Sequence, residues 1–253
     1  MNHLVSIITP LYNAEQFIAA MIKSVLSQTY QNWELLITDD YSTDNSVDIV
    51  QAFAQMDLRI KVFLSEKNGG PGVARNNSIA HAQGRFIAFL DSDDQWKPDK
   101  LEKQVKFMIE NDLALSYHSY ETLNEEDRIV GIVKSPKKVT YKTMLRNNYI
   151  GCLTAMYDTE KLVYLSMPSI KKRQDWAMWL SILKQVPFAL GLQENLAIYR
   201  DSSKSISSNK INLIKYNYRI FRNLEKFSGI KSFFLLVQFM FFYILKKIYF
   251  FKV

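Results

Sequence analysis

One cysteine, Cys152, and three histidines, His3, His81 and His118, are all this sequence has of the residues that build disulfides and most zinc sites. A single thiol excludes an intramolecular disulfide and fits a reducing compartment. The histidines are scattered without zinc-ligand spacing, and neither a Ser-His-Asp nor a Cys-His arrangement is legible. No G-x-x-x-x-G-K and no complete G-x-G-x-x-G occurs. The N-terminus, "MNHLVSIITPLYN", has no basic leader before a long apolar run and no small-residue cleavage site, so it reads as mature structure rather than a signal peptide. There is no internal repeat, and no linker separates two domains.

What is present is enough apolar matter for a core: 48% of the 253 residues are hydrophobic against 23% charged, which excludes a disordered chain. The net charge of +7 is concentrated at one end. From Lys204 onward there are ten Lys and Arg against one acid, Glu225, whereas the first 203 residues carry 22 bases and 24 acids. A near-neutral body argues against a general nucleic-acid binder, and the basic excess gives the last fifth an anionic partner.

The first hundred residues alternate between two periodicities. "LVSIITP", "WELLITD", "RIKVFLS" and "RFIAFLD" are β-branched apolar runs that predict strands. Helical patterns lie between them, over roughly 15–27, 43–55 and 72–82. Thr43 and Asp44 offer cap chemistry to the second helix, and Pro71-Gly72 opens the third. Such alternation predicts a mostly parallel sheet flanked by helices, with ligands beyond the carboxyl ends of the strands. After Pro98 a helix to about Asn111 leads into a less regular half. There "LALSYHSYETL" and "RIVGIVK" predict antiparallel strands about an acidic turn, "WAMWLSILKQV" an amphipathic helix and "NLAIYR" a short strand. A serine-rich loop, "DSSKSISSNK", follows.

The strand ends carry the polar chemistry. "FIAFLDSDDQW" ends an apolar strand in three carboxylates, Asp91, Asp93 and Asp94. Like charges so concentrated ask for a cation, and hard divalent ions prefer carboxylate oxygens. In an extended segment Asp91 and Asp93 would share one face. A bare D-x-D is more often a solvated turn; the buried run before it and the matching strand ends favour a site. Asp40, in "ITDDYSTDNS", is placed to accept from a base N–H or a ribose hydroxyl, with Thr43 or Asp44 left to cap the helix. "NGGPGVARNN" makes a tight turn, with close approach to a ligand as a second possibility. Asp175, in "RQDWAMWL", starts a helix, so either helix-dipole capping or general-base chemistry explains it.

Taken together, "VSIITPLYN", "QTYQNWELLITDDYSTDNS", "NGGPGVARNNSIAHAQGRFIAFLDSDDQWKPDKLEKQV" and, more loosely, "RQDWAMWLSIL" and "LAIYRDSSKSIS" resemble glycosyltransferase family two. That resemblance implies the GT-A fold, an α/β Rossmann-like architecture with a mostly parallel central sheet. It implies a catalytic domain over 1–203, with a nucleotide-sugar half at 1–97 and an acceptor half at 98–203. It also implies site roles. Pro10 and Tyr12 would line the base pocket, and Asp40 would hydrogen-bond the base, usually uracil. Asp91 would face the ribose, and Asp93 would bind the Mn2+ or Mg2+ that bridges the diphosphate. Asp175 would be the catalytic base and Arg200 would approach the leaving diphosphate. Gln174 stands where the family often has Glu, and Ser202 where it often has His, which points to weaker metal affinity. The Q-x-x-R-W mark of processive synthases is absent, so one sugar per visit is expected, with inversion. A cytoplasmic enzyme of surface-polysaccharide assembly follows, acting on a glycan or lipid-linked acceptor. A sugar nucleotidyltransferase and an inactive membrane-bound nucleotide-binding scaffold are the alternatives.

Residues 204–253 form a basic, aromatic tail. The uncharged run from Ser232 to Leu245 is 14 residues, short of the roughly 20 that span a bilayer. An interfacial helix, peripheral on the anionic inner face of the membrane, is expected over a core-packing or dimer helix.

Overall fold

Strands β1 (Val5–Leu11), β2 (Trp33–Asp39) and β4 (Phe86–Phe89) are buried at every position. Apolar runs of this kind have no solvent face to offer, and they pair in parallel: β1 lies between β2 and β4, with β3 (Ile60–Leu64) outside β2. The structure is a computed structural model and describes residues 3–163, 165–200 and 210–252. Alternate residues of each strand feed separate cores. Ile7, Leu35 and Ile37 point to one side, and Ile8, Leu36 and Phe89 to the other.

Helix α1 (Ile18–Leu26) covers the first side through Ile18, Met21, Ile22 and Val25, a helical stripe. Helix α2 (Ser46–Met56) follows β2, and α3 (Pro71–Ala80) packs on β1 and β2 from the other side. Asn45, not Thr43, occupies the N-cap of α2 and makes no side-chain cap bond. Asp44 still serves the helix by accepting from the Ser46 amide at 3.0 Å.

Beyond β4 comes β5 (Gln95–Trp96), then α4 (Lys100–Glu110), β6 (Leu115–Leu123) and β7 (Ile129–Val133). β6 and β7 pair antiparallel, as their acidic turn predicted. After β8 (Lys138–Val139), α5 (Tyr141–Arg146) and β9 (Met156–Asp158), the sheet is joined into one: β9 pairs antiparallel with both β4 and β6. Helix α6 (Gln174–Gln185) fills the second core with Trp176, Trp179, Leu180 and Leu183.

β10 (Ala189–Arg200) is twelve residues long, twice the short strand expected. It pairs parallel with β6 and antiparallel with β5 and β8, with register shifts between Leu192 and Ala197. The serine-rich segment 201–209 lies outside the described residues. Helix α7 (Lys210–Arg219) runs through a π turn at Ile220–Leu224 toward α8 (Gly229–Phe250), and β11 (Phe251–Lys252) pairs with β7. The tail is seated on the body: Phe239 of α8 and Phe221 pack against Trp176 with ring centroids 4.8 and 5.5 Å away.

Candidate active site

β4 stops at Phe89, and Asp91–Asp94 forms a turn in which the Asp94 amide donates to the Asp91 carbonyl at 3.1 Å. The extended segment expected for Asp91 and Asp93 is therefore a turn, and each acid has its own surroundings. Asp91 pairs with Arg75 of α3, whose side chain is 7% exposed. Arg75 reaches this position because Gly72, Ala74 and Ser78 form the rest of the buried face of α3. Those small residues let the helix lie close to the sheet, where Ser78 Oγ donates to the Leu36 carbonyl at 3.1 Å. Burial opposes the charge on Arg75, but the Asp91 carboxylate more than compensates and holds the guanidinium above its ordinary value. Asp175 adds its own field there.

Asp93 has no such partner among the described residues. Burial and the Asp91 charge push its carboxyl up to about 6, with Arg200 and Arg75 pulling the other way. Asp94 is 2% exposed and is raised well above the carboxylate range by burial and by the other two acids; it accepts the Arg200 amide at 3.0 Å. The Arg200 guanidinium pairs with Asp127 and lies over the Phe17 ring at 4.8 Å, with Nε buried and unpartnered among the described residues. Phe17, Asp93, Gln95, Asp127 and Arg200 line a cavity of about 280 Å³.

Asp175 sits in the first turn of α6, half-buried, and Asn148 Nδ2 donates to its Oδ2 at 3.2 Å. The preceding Gln174 is buried against α3: a Cβ on Gly72 would come within 3.0 Å of Gln174 Nε2. Gly72 thereby lets α6 dock on α3 and brings Asp175 to the Arg75–Asp91 pair.

Pro10 is buried at the end of β1, in register with Thr38, and Tyr12 beyond it is half exposed. Asp40 is 3% exposed and is engaged: its two oxygens accept the Gly69 and Gly70 amides, each at 2.7 Å. The carboxylate that the sequence left free pins the glycine loop in front of α3. Next to it, Asp39 Oδ2 takes the Tyr41 and Ser42 amides, while Oδ1 is buried without a partner among the described residues. Arg75 and Asn148 were not singled out from the sequence. Only Arg75 left a signal, an arginine on the small-residue face of a helix.

Among the described residues no three His, Cys, Asp or Glu side chains cluster into a protein-only metal site. The acids at hand suit a different arrangement. A half-buried Asp93, destabilised in its charged form and without an ion-pair partner among the described residues, fits one carboxylate on a divalent ion whose remaining ligands come from phosphate and water. The histidines are ordinary: His118 is buried with Nδ1 2.8 Å from the Ser119 carbonyl, and His81 stacks on Phe63.

Comparison with known proteins gives this geometry its family. The model of "Glycosyl transferase family 2" matches residues 6–166, more than half of the chain. TuaG of Bacillus subtilis, a glycosyltransferase assigned to teichuronic acid biosynthesis, is 44% identical over 93% of this chain and 94% of its own. WfgD of Escherichia coli, a UDP-Glc:α-D-GlcNAc-diphosphoundecaprenol β-1,3-glucosyltransferase, is 46% identical over 87% of this chain and 85% of its own. Residues 1–349 of TarS from S. aureus, solved with UDP-GlcNAc, superpose with a TM-score of 0.72 at 23% identity, covering 93% of this chain and 71% of that one. The fold is the GT-A fold, and the chain belongs to glycosyl transferase family 2.

Proposed function

We propose that this glycosyltransferase moves one sugar, with inversion, from a UDP-sugar to a hydroxyl of a lipid-linked acceptor in surface-polysaccharide assembly. The observation that carries the reading is the Arg75 guanidinium, which pairs with Asp91 and feels Asp175, so that the donor acids and the candidate base share one centre. The names of TuaG and WfgD support the pathway class, and that of WfgD supports the uridine donor and the diphospholipid acceptor.

In this reading Asp175 takes the proton of the attacking hydroxyl. Asn148 holds Oδ2 and leaves Oδ1 for the proton. The hydroxyl attacks the anomeric carbon from the face opposite the nucleotide, and the bond to the diphosphate breaks. Pro10, Tyr12 and the Asp39–Asp40 end of β2 bound the base pocket, Asp91 faces the ribose, and Arg200 stands at the diphosphate. Mn2+ or Mg2+ at Asp93 would supply positive charge against the leaving group. The tail keeps the enzyme at the anionic cytoplasmic face of the membrane.

Asp175→Asn tests the assignment. The variant is expected to lose turnover by about a thousandfold or more while binding UDP as the parent does. Unchanged turnover removes Asp175 from the role of base. Release of pyrophosphate in place of UDP would make the enzyme a nucleotidyltransferase.

A further inference from the structure

Helix α5 ends where α6 begins. The Asn148–Asp175 contact at 3.2 Å ties the two segments together, and Arg146 and Arg173 each lie two residues before one of its partners. α8 closes the third side of this seam. The Arg173 guanidinium carbon is 6.0 Å from the Phe239 ring centroid, and that of Arg146 is 5.5 Å from Phe242, one turn further along α8.

Arg173 is held there at some expense. It is a non-glycine residue in left-handed backbone, at φ 66° and ψ 24°, a strained conformation for an L side chain. Among the described residues its buried Nε has no hydrogen-bond partner, and burial pulls the guanidinium below its ordinary value, against the attraction of Asp175 and Tyr243. Asn147, beside Arg146, is 2% exposed, and its buried Nδ2 also has no partner among the described residues. Both of these unmet groups are donors, one of them on a cation, and the exposed Arg146 adds a second positive charge. Donors gathered this way recognise an anion with several oxygens, and arginine forks suit phosphate oxygens.

We propose that Arg146 and Arg173 seat the diphosphate of a polyprenyl-diphosphate-linked sugar, the acceptor. This rests on the lipid-linked acceptor of the proposed function and names where its anionic group lies. The sugar that carries the diphosphate extends from Arg173 to Asp175, so the hydroxyl attacked belongs to the first sugar on the lipid. The lipid chain leaves along α8. The enzyme then acts directly after the reaction that installs a sugar phosphate on a polyprenyl phosphate.

The test uses farnesyl diphosphate as the probe, titrated by calorimetry into the full chain with UDP and Mn2+ already saturating. Wild type is expected to bind it, farnesol is expected to bind roughly tenfold more weakly or worse, and Arg146→Gln and Arg173→Gln are each expected to lose roughly tenfold in affinity. UDP affinity in both variants stays at the wild-type value. Arg146 is exposed, so its replacement leaves the fold intact even where Arg173→Gln fails to fold. Equal affinity in Arg146→Gln overturns the seat, as does farnesyl diphosphate that competes with UDP instead of binding beside it. Wild type that binds UDP but not farnesyl diphosphate overturns the seat and leaves the donor reading standing. Wild type that binds farnesyl diphosphate but not UDP overturns the donor reading alone.

Discussion

Arg75 and Asp91 show how one pair of side chains links stability to the site. Arg75 is nearly sealed from solvent, while Asp91 keeps a 31% exposed carboxylate. Removing the cation strands Asp91, and through it Asp93 and Asp94, in a cluster of like charge. Arg75→Ala is expected to lower the unfolding free energy by roughly 2–3 kcal/mol, below the full range for a buried pair because Asp91 is partly solvated. UDP affinity should fall with it. Asp91→Asn in the Arg75→Ala background should recover about 1 kcal/mol or more, since the stranded charge is then gone. Strict additivity in urea denaturation would show that the two residues do not act as a pair. Arg75 eluded the sequence for a physical reason. Its partner lies sixteen residues away at another strand end, and nothing local to "GVARNN" announces a buried ion pair. Asp40 misled in the opposite direction. Its carboxylate looked free because the Gly69 and Gly70 amides that occupy it come from the next loop.

At the scale of elements, the seating of α4 on β6 carries a pH dependence. Gln104 Nε2 donates to Ser116 Oγ at 2.9 Å, and one turn back Lys100 lies near His118, two residues on along β6. Lys100 is fully buried with its Nζ 3.5 Å from the centroid of Trp96, and burial holds its amine well below the ordinary value. Burial and Lys100 likewise push His118 down to about 3 from its ordinary 6.5. The folded protein therefore binds fewer protons here than the unfolded chain does between pH 6.5 and 3. The stability from neutral His118 is complete above pH 6.5 and is lost as pH falls, at about 1.4 kcal/mol per unit. Asp93 acts in the other direction, gaining stability as it protonates below about 6. The difference between proteins isolates the histidine: His118→Asn should lose less stability than wild type between pH 6.5 and 5, by about 2 kcal/mol. Parallel pH profiles would remove His118 from the acid response. The same elements show which parts of the fold were legible. The strands β1 to β4 and their helices announced themselves through period and length. β10 was read at half its extent because Gly191, Gln193 and Glu194 interrupt its apolar pattern, and pairing with β6, β5 and β8 decides the rest. β5, β8 and β9 span two or three residues each and exist only through their partners.

For the whole molecule, the question is what α8 does with its second face. One face packs on Trp176 through Phe239 and adds α8 to the core. The other exposes Ile230, Phe233, Phe234, Val237, Phe241 and Ile244, at successive spacings of three, one, three, four and three residues, an apolar stripe along one side of a helix. Among the described residues no helix is long and apolar enough to cross a membrane, and a one-sided apolar stripe has the pattern of a helix lying in a bilayer surface. The side chain of Glu225, the single acid from Lys204 onward, is buried and taken by Lys184 and Tyr141, so this segment has no other acid of its own to offset its ten bases. An apolar stripe in a segment with ten bases and one acid matches an anionic lipid surface better than a second copy of itself, because two such tails would repel. Vesicles containing phosphatidylglycerol should therefore sediment the protein, neutral phosphatidylcholine vesicles should bind it weakly, and salt should release much of it. The triple replacement of Phe233, Phe234 and Phe241 by Ser should weaken vesicle binding by roughly a hundredfold, with each ring contributing about 1 kcal/mol or more of burial. UDP affinity should not change, since none of the three touches the strand ends. A variant that turns from dimer to monomer yet binds vesicles as before would make the stripe a subunit contact. The diphosphate seat between α5, α6 and α8 would then need its lipid to leave by another path.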